Sequence, residues 1–166
     1  GKEWIHIDGG DYSHIDSKDI LMKEYENESV ELIYASHFIE YFDREEIISI
    51  LKRWREVLKP NGILRLAVPN FELYAKLYGE KKISLDDSLG PLFGKMEMEK
   101  KTIYHKTTYD YFSLKKILQE VGMRNISKYN WRQTSHSIFD DHSQAYFPHM
   151  DKDNGILMSL NMECVK

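Results

Sequence analysis

The chain has 166 residues, 42% hydrophobic and 13% aromatic, which suffices for one domain spanning residues 1–166 with a core of its own, and no second domain is expected. Its formal net charge is −4 and no run of lysine or arginine forms a basic stripe, so a nucleic-acid partner is not expected and a small-molecule substrate is the default. No apolar run approaches membrane-spanning length, no signal-peptide pattern opens the chain, and its one cysteine, Cys164, has no internal partner; these features read as a cytoplasmic protein away from membranes.

In chain order, Trp4, Ile5 and Ile7 make a short, mostly apolar strand, and residues 14–20 are a second candidate. Residues 24–29 form a polar turn. Val30–Ser36 reads VELIYAS, a β-rich run with one charge, and residues 63–68 read ILRLAV. Both are expected to be strands covered on both faces. Between them Asp43 and Glu46 form a capping box, and Ile47, Ile50, Leu51, Trp54 and Leu58 repeat at helical spacing. Lys59-Pro60-Asn61-Gly62 then ends the helix and turns the chain. Strand, helix and strand with short connections make a right-handed βαβ unit with a parallel sheet.

Beyond that unit, Phe71, Tyr74, Leu77 and Tyr78 predict a helix with Asn70 as its N-cap and Gly79 closing it. Residues 81–106 hold no sustained period and read as a long connection: a lid, a binding loop or disorder. Residues 114–121 predict a helix capped by Ser113 and ended by Gly122. Residues 125–131 and 156–165 read as closing strands, a hairpin interrupted by a loop rich in His and Asp.

The words SVELIYASHFIEYF, REVLKPNGILRLAVPN and HKTTYDYFSLKKILQEVGM resemble the SAM-dependent methyltransferases of the Rossmann-like class, in a compact bacterial branch. The resemblance covers nearly the whole chain, and the LKPNG turn is its most specific mark. It implies an α/β fold with a Rossmann-like methyltransferase sheet, mostly parallel, with an antiparallel C-terminal strand pair. It further implies S-adenosylmethionine as cofactor and methyl transfer to a small-molecule acceptor. The chain departs from the family in one respect: none of its nine glycines are arranged G-x-G, the pattern that lets backbone approach the methionine part of the cofactor. The first strand and its glycine-rich loop are lacking, so the chain reads as N-terminally truncated, or as binding the cofactor differently or not at all.

Several residues are candidates for chemistry. Asp8, followed by Gly9 and Gly10, sits where the resemblance implies an acidic residue on ribose hydroxyls; a simple turn is the alternative. Asp19 and Ile20 match the position that addresses adenine, with a local cap as the alternative. Ser36 and His37 lie at the carboxyl end of a strand, where ligands of parallel sheets gather. His37 is the candidate base or substrate contact, with Glu40 and Asn70 beside it as catalytic candidates and Ser36 on the cofactor. Asn70 also has a structural role as N-cap. Tyr41, Tyr104, His105, His136 and His142 are candidate substrate contacts.

Residues 136–151, HSIFDDHSQAYFPHMD, pack three histidines and three aspartates into sixteen positions, a composition that suits a metal. Their spacing matches no closed-site motif, and a polar loop over the pocket is the favoured reading, with no metal assigned. Three function classes stand: a methyltransferase, a methyltransferase-like binding module without catalysis, and a metal-dependent enzyme using residues 136–151. A homodimer that shares or swaps strands is expected, because a sheet missing its first strand exposes edges.

Overall fold

The Asp43 carboxylate accepts hydrogen bonds from the backbone of Glu45 and Glu46, while Glu46 reaches back to the Asp43 N–H. This reciprocal cap satisfies donors that a helix start leaves orphaned, and it fixes where helix α1, Arg44–Val57, begins. The computed structural model of the protein describes residues 4–9, 13–98 and 101–166. In chain order the elements are β1 (Val30–Ser36), α1, β2 (Leu58–Pro69), α2 (Phe71–Gly79), α3 (Leu85–Phe93), β3 (Met96–Met98), β4 (Lys101–Ile103), α4 (Tyr111–Glu120), β5 (Arg124–Lys128), β6 (Tyr146–Phe147), β7 (Ile156–Leu157) and β8 (Ser159–Val165).

The central sheet has the order β1-β2-β8-β5. β1 and β2 run parallel across α1, as the βαβ reading requires, and β8 is antiparallel to both β2 and β5. The LKPNG turn lies inside the bounds of β2, not before it. Val30 pairs with Leu58 and Leu32 already pairs with Ile63, so residues 59–62 bulge out of the ladder. Asn61 takes a left-handed φ of 64°, and a Cβ on Gly62 would stand 2.8 Å from the Lys59 carbonyl oxygen. The turn therefore needs these two residue types.

The two faces of the sheet differ in chemistry. Leu64, Leu66 and Val68 of β2 stand opposite Cys164, Met162 and Leu160 of β8, and all six are buried against Ile47, Leu51, Trp54, Leu114 and Leu118 from α1 and α4. Each fully buried aliphatic side chain here contributes about 1.5–3 kcal/mol. The alternate positions form the other face. They are polar or small: Tyr34 and Ser36 of β1, Arg65 and Ala67 of β2, and Ser159, Asn161 and Glu163 of β8. Arg65 pairs with Glu163 at 3.0 Å there. Residues 131–145 meet this face through hydrogen bonds to Tyr34, Ser36 and Asn161 and through the buried ring of His136.

Four expectations need correcting. Residues 4–7 form no ladder strand; Ile7 makes a single parallel bridge to Ser17, so the candidate strand in 14–20 is that bridge as well. Residues 1–3, and Gly10 of the Asp-Gly-Gly turn, lie outside the described residues. The connection 81–106 is not structureless, since α3 is closed at one end by a Ser84/Asp87 capping box and at the other by Gly94 at φ 45°, and a β3–β4 hairpin follows. Pro91 sits within the last turn of α3. The cap of α4 is Asp110, with Ser113 as its reciprocal partner three residues on, so the helix starts earlier than the periodicity indicates.

Candidate functional site

At the carboxyl end of β1 the chain turns through His37, which adopts a left-handed φ of 47°. A non-glycine residue in that region costs of order 1–3 kcal/mol and is found where surrounding contacts hold it. The contacts are identifiable: the His37 N–H donates to the Ala67 carbonyl at 2.8 Å, and Nε2 lies 3.3 Å from Ser159 Oγ. A single helical turn, Ile39–Tyr41, follows and buries Glu40 completely. The Glu40 carbonyl accepts from the backbone of Lys106 and Thr107, drawing the 105–107 segment alongside.

These elements bring His37, Glu40, Tyr41, His105 and His142 into one cluster. His37 Nδ1 is 3.6 Å from Glu40 Oε1, and His105 Nε2 is 3.9 Å from the same oxygen. The His142 ring, exposed, lies 5.1 Å from that of His37, and Tyr41 packs edge-on to His105 at 4.6 Å. His105 Nδ1 is 2.9 Å from the Pro91 carbonyl oxygen. Neither carboxylate oxygen of Glu40 has a hydrogen-bond partner among the described residues, nor does the buried hydroxyl of Tyr109. Burial pushes Glu40 up to about 8 from 4.5, and burial aided by His142 and His105 pushes His37 down to about 3 from 6.5. Burial thus disfavours the charged form of both groups.

Beside this cluster, along β1, a cavity of about 260 Å³ is lined by Trp4, Ile5, Ile7, Asp8, Ile20, Met22, Tyr34, Ala35, Ser36 and Phe38 among others. Three of the expected cofactor residues, Asp8, Ile20 and Ser36, share its wall. Its volume lies just below the range of about 300–1,000 Å³ usual for ligand pockets. Asp19 is placed otherwise: its two oxygens accept from the backbone N–H groups of Leu21 and Lys23, the local-cap arrangement. The Ile20 carbonyl is held by the Trp54 indole at 2.7 Å, which fixes this wall of the cavity to α1. The residues present suit the adenosyl part of a nucleoside cofactor, with one carboxylate on the wall and apolar side chains around it.

The remaining expected residues are distributed more widely. Asn70 is the N-cap of α2 and accepts from Leu73 N–H, while its own N–H donates to the Met158 carbonyl. Tyr104 is half exposed, and Gly9 is exposed. His136 is 1% exposed, stacked on Tyr34 at 3.7 Å, and burial lowers it to about 4. Its place is in the packing over the polar face of the sheet. Among the described residues no group of three or more His, Cys, Asp and Glu has a geometry that could hold a metal ion.

Sequence reasoning missed the β8 contribution. Asn161 Nδ2 donates to the Ser143 carbonyl at 2.9 Å, its Oδ1 accepts from Ser159 Oγ at 2.9 Å, and Ser159 in turn meets His37. The signal was three polar residues at a spacing of two, Ser159, Asn161 and Glu163, alternating with apolar ones in a strand and hence on one face. It also missed Asp141, which accepts from both Tyr34 Oη and Ser36 Oγ.

No family model matches the sequence, and no curated protein does. Solved structures do match. A SAM-dependent methyltransferase from Archaeoglobus fulgidus aligns with a TM-score of 0.51 at 14% identity, over 92% of this chain and 67% of its own. One from Methanosarcina mazei gives 0.51 and 14%, over 92% and 66%. The 1,6-didemethyltoxoflavin-N1-methyltransferase of Burkholderia thailandensis, solved with bound 1,6-didemethyltoxoflavin and S-adenosylhomocysteine, gives 0.52 and 8%, over 96% and 59%. The chain has the Rossmann-like methyltransferase fold. It spans about two thirds or less of the length of these three proteins.

Proposed function

We propose that this chain is a SAM-dependent methyltransferase domain acting on a small-molecule acceptor. The observation that carries the reading is the adjacency of two features on β1: the cavity that runs along the strand, with Asp8, Ile20 and Ser36 in its wall, and the His37/Glu40 cluster at the strand's carboxyl end. S-adenosylmethionine, when bound, supplies an electrophilic methyl on a sulfonium, and the chain's task is to align an acceptor with it and manage a proton. Asp8 accepts hydrogen bonds from ribose hydroxyls, while Ile20, Trp4 and Phe38 give the base an apolar surround. His37 takes the proton of a hydroxyl acceptor. Tyr41, Tyr104, His105 and His142 bound the acceptor's side, and Asn70 holds the α2 end of the same rim.

The absence of any G-x-G among the nine glycines supports weak cofactor affinity for this chain, and favours a second reading, a methyltransferase-like module without catalysis. A transfer assay with labelled S-adenosylmethionine and a panel of small hydroxyl and amine acceptors separates the two. Methylated product, with turnover lowered in His37→Ala and cofactor affinity little changed, supports the enzyme; absence of transfer across the panel despite cofactor binding supports the module. The same reading includes a homodimer, since the edge of β1 that pairs with no strand among the described residues is the natural place for another chain to pair.

A further inference from the structure

The hydrogen-bond chain from β8 fixes which nitrogen of His37 carries a hydrogen. Asn161 Nδ2 must face the Ser143 carbonyl, because the amide oxygen there would oppose another acceptor, so Oδ1 faces Ser159. The single hydroxyl hydrogen of Ser159 then goes to Asn161 Oδ1 at 2.9 Å or to the Val68 carbonyl at 3.4 Å, both of which only accept. His37 Nε2 is left to donate to Ser159 Oγ, and the lone pair of the neutral ring lies on Nδ1, facing Glu40 Oε1. His105 reaches the same result by another route. Its Nδ1 faces the Pro91 carbonyl, which only accepts, so its lone pair lies on Nε2 and also faces Glu40 Oε1. Three lone-pair atoms converge, so one further hydrogen belongs among them, and the burial of Glu40 and His37 favours placing it on the carboxyl over an imidazolium–carboxylate pair.

We propose that Glu40 is a positioning residue that sets the tautomer of His37: protonated, it holds His37 in the Nε2–H form, and ionised, it turns His37 into a base at Nε2. In the first state the Glu40 O–H faces the Nδ1 lone pair across 3.6 Å, and His37 has no free lone pair on its Ser159 side. Loss of one proton from the unit moves the Glu40 hydrogen to Nδ1 and leaves Nε2 bare. During methyl transfer to a hydroxyl acceptor, the acceptor's O–H bond breaks as its oxygen bonds the methyl, and the S–CH3 electrons return to sulfur. The released proton adds to Nε2, Nδ1–H returns its hydrogen to Glu40, and the unit is neutral again. This step rests on the methyltransferase reading; the tautomer switch itself does not.

The groups facing the unit come from several elements. His142 approaches His37 from the helical turn at 142–144, the Tyr109 hydroxyl is buried ahead of α4, and Arg44 of α1 stacks over the Tyr109 ring at 4.6 Å. Arg44 is itself bound to Thr107 Oγ1 and the Thr108 carbonyl, and Lys106 pairs with Glu46. None of these places a donor on Glu40.

The test is nitrogen-15 NMR of the histidine rings in the intact chain across pH, which reads tautomers without any substrate. The wild type is expected to show His37 as Nε2–H below the Glu40 transition and as Nδ1–H above it, with His105 as Nδ1–H. In Glu40→Gln the amide N–H faces Nδ1 whatever the pH, so His37 stays Nε2–H throughout the range in which the Glu40 carboxyl titrates in the wild type. A wild-type His37 found as Nδ1–H at neutral pH, or a tautomer unchanged through the titration, overturns the proposal. Because these signals need no turnover, failure to find methyl transfer leaves them readable. With activity in hand, Glu40→Gln is expected to lose the alkaline rise in kcat while KM for the acceptor stays within a few-fold.

Discussion

The Tyr34 hydroxyl donates to Asp141 Oδ2 at 2.7 Å, joining the middle of β1 to the segment that covers the polar face of the sheet. Ser36 adds a second bond to Oδ1 at 3.2 Å, and the Ser143 N–H donates to the same oxygen at 2.7 Å. Asp141 thus ties strand and covering segment together with one side chain.

Asp141→Ala leaves the half-buried Tyr34 and Ser36 hydroxyls without their acceptor, so it is expected to destabilise the protein by about 1–3 kcal/mol. Urea unfolding measures this. A change within about 0.5 kcal/mol would mean that the segment is held chiefly by its apolar contacts.

Stability should depend on pH through Glu40 with a definite sign. Its carboxyl rises from 4.5 to about 8 on folding, so the folded state binds more protons than the unfolded chain between those values. The stabilisation is fully present below 4.5 and lost as pH rises through about 8. His37 acts in the opposite sense: lowered from 6.5 to about 3, it favours the fold above 6.5 and ceases to as pH falls through about 3. Unfolding midpoints of Glu40→Gln and wild type, compared across pH, isolate the first contribution. The variant should lack the alkaline decline, and an identical decline in both would place it elsewhere.

Gly94 is expected to tolerate no side chain. It ends α3 at φ 45°, and a Cβ there would lie 2.0 Å from His105 Nε2. Gly94→Ala should displace His105 from Pro91 and Glu40 and cost about 1–3 kcal/mol. Thermal unfolding with NMR of the His105 ring checks both, and an unmoved ring would contradict the placement.

The legible parts of the fold were those written in local chemistry. The Asp43/Glu46 box, the α1 stripe and the β1 and β2 runs carry their own signals, and each formed within a few residues of its expected place. α3 was missed because Gly90-Pro91 reads as a breaker, although Ser84 and Asp87 had the spacing of a cap. Residues 136–151 were expected as a polar loop over a pocket; Asp141 within them bonds the cavity-lining Tyr34 and Ser36, and the segment also covers a sheet face whose polarity only the β2–β8 register reveals. Of the site, His37 and Glu40 follow from strand-end position, whereas Ser159 and Asn161 lie far along the chain and reach His37 only through the antiparallel pairing of β8.

Assembly is open to a direct check. Among the described residues β1 pairs with β2 alone and its other edge borders the cavity. A homodimer that covers this edge is expected in light scattering at micromolar concentration. A monodisperse monomer would contradict it.

The most direct test of the methyltransferase reading is calorimetric titration of S-adenosylhomocysteine into the chain and two variants. Measurable binding weaker than about 1 μM is expected for the wild type. Asp8→Ala should abolish it, because Asp8 lines the cavity, whereas Asp19→Ala should alter stability more than affinity, because its oxygens cap Leu21 and Lys23. No binding at millimolar ligand, or equal affinity in wild type and Asp8→Ala, would contradict the account.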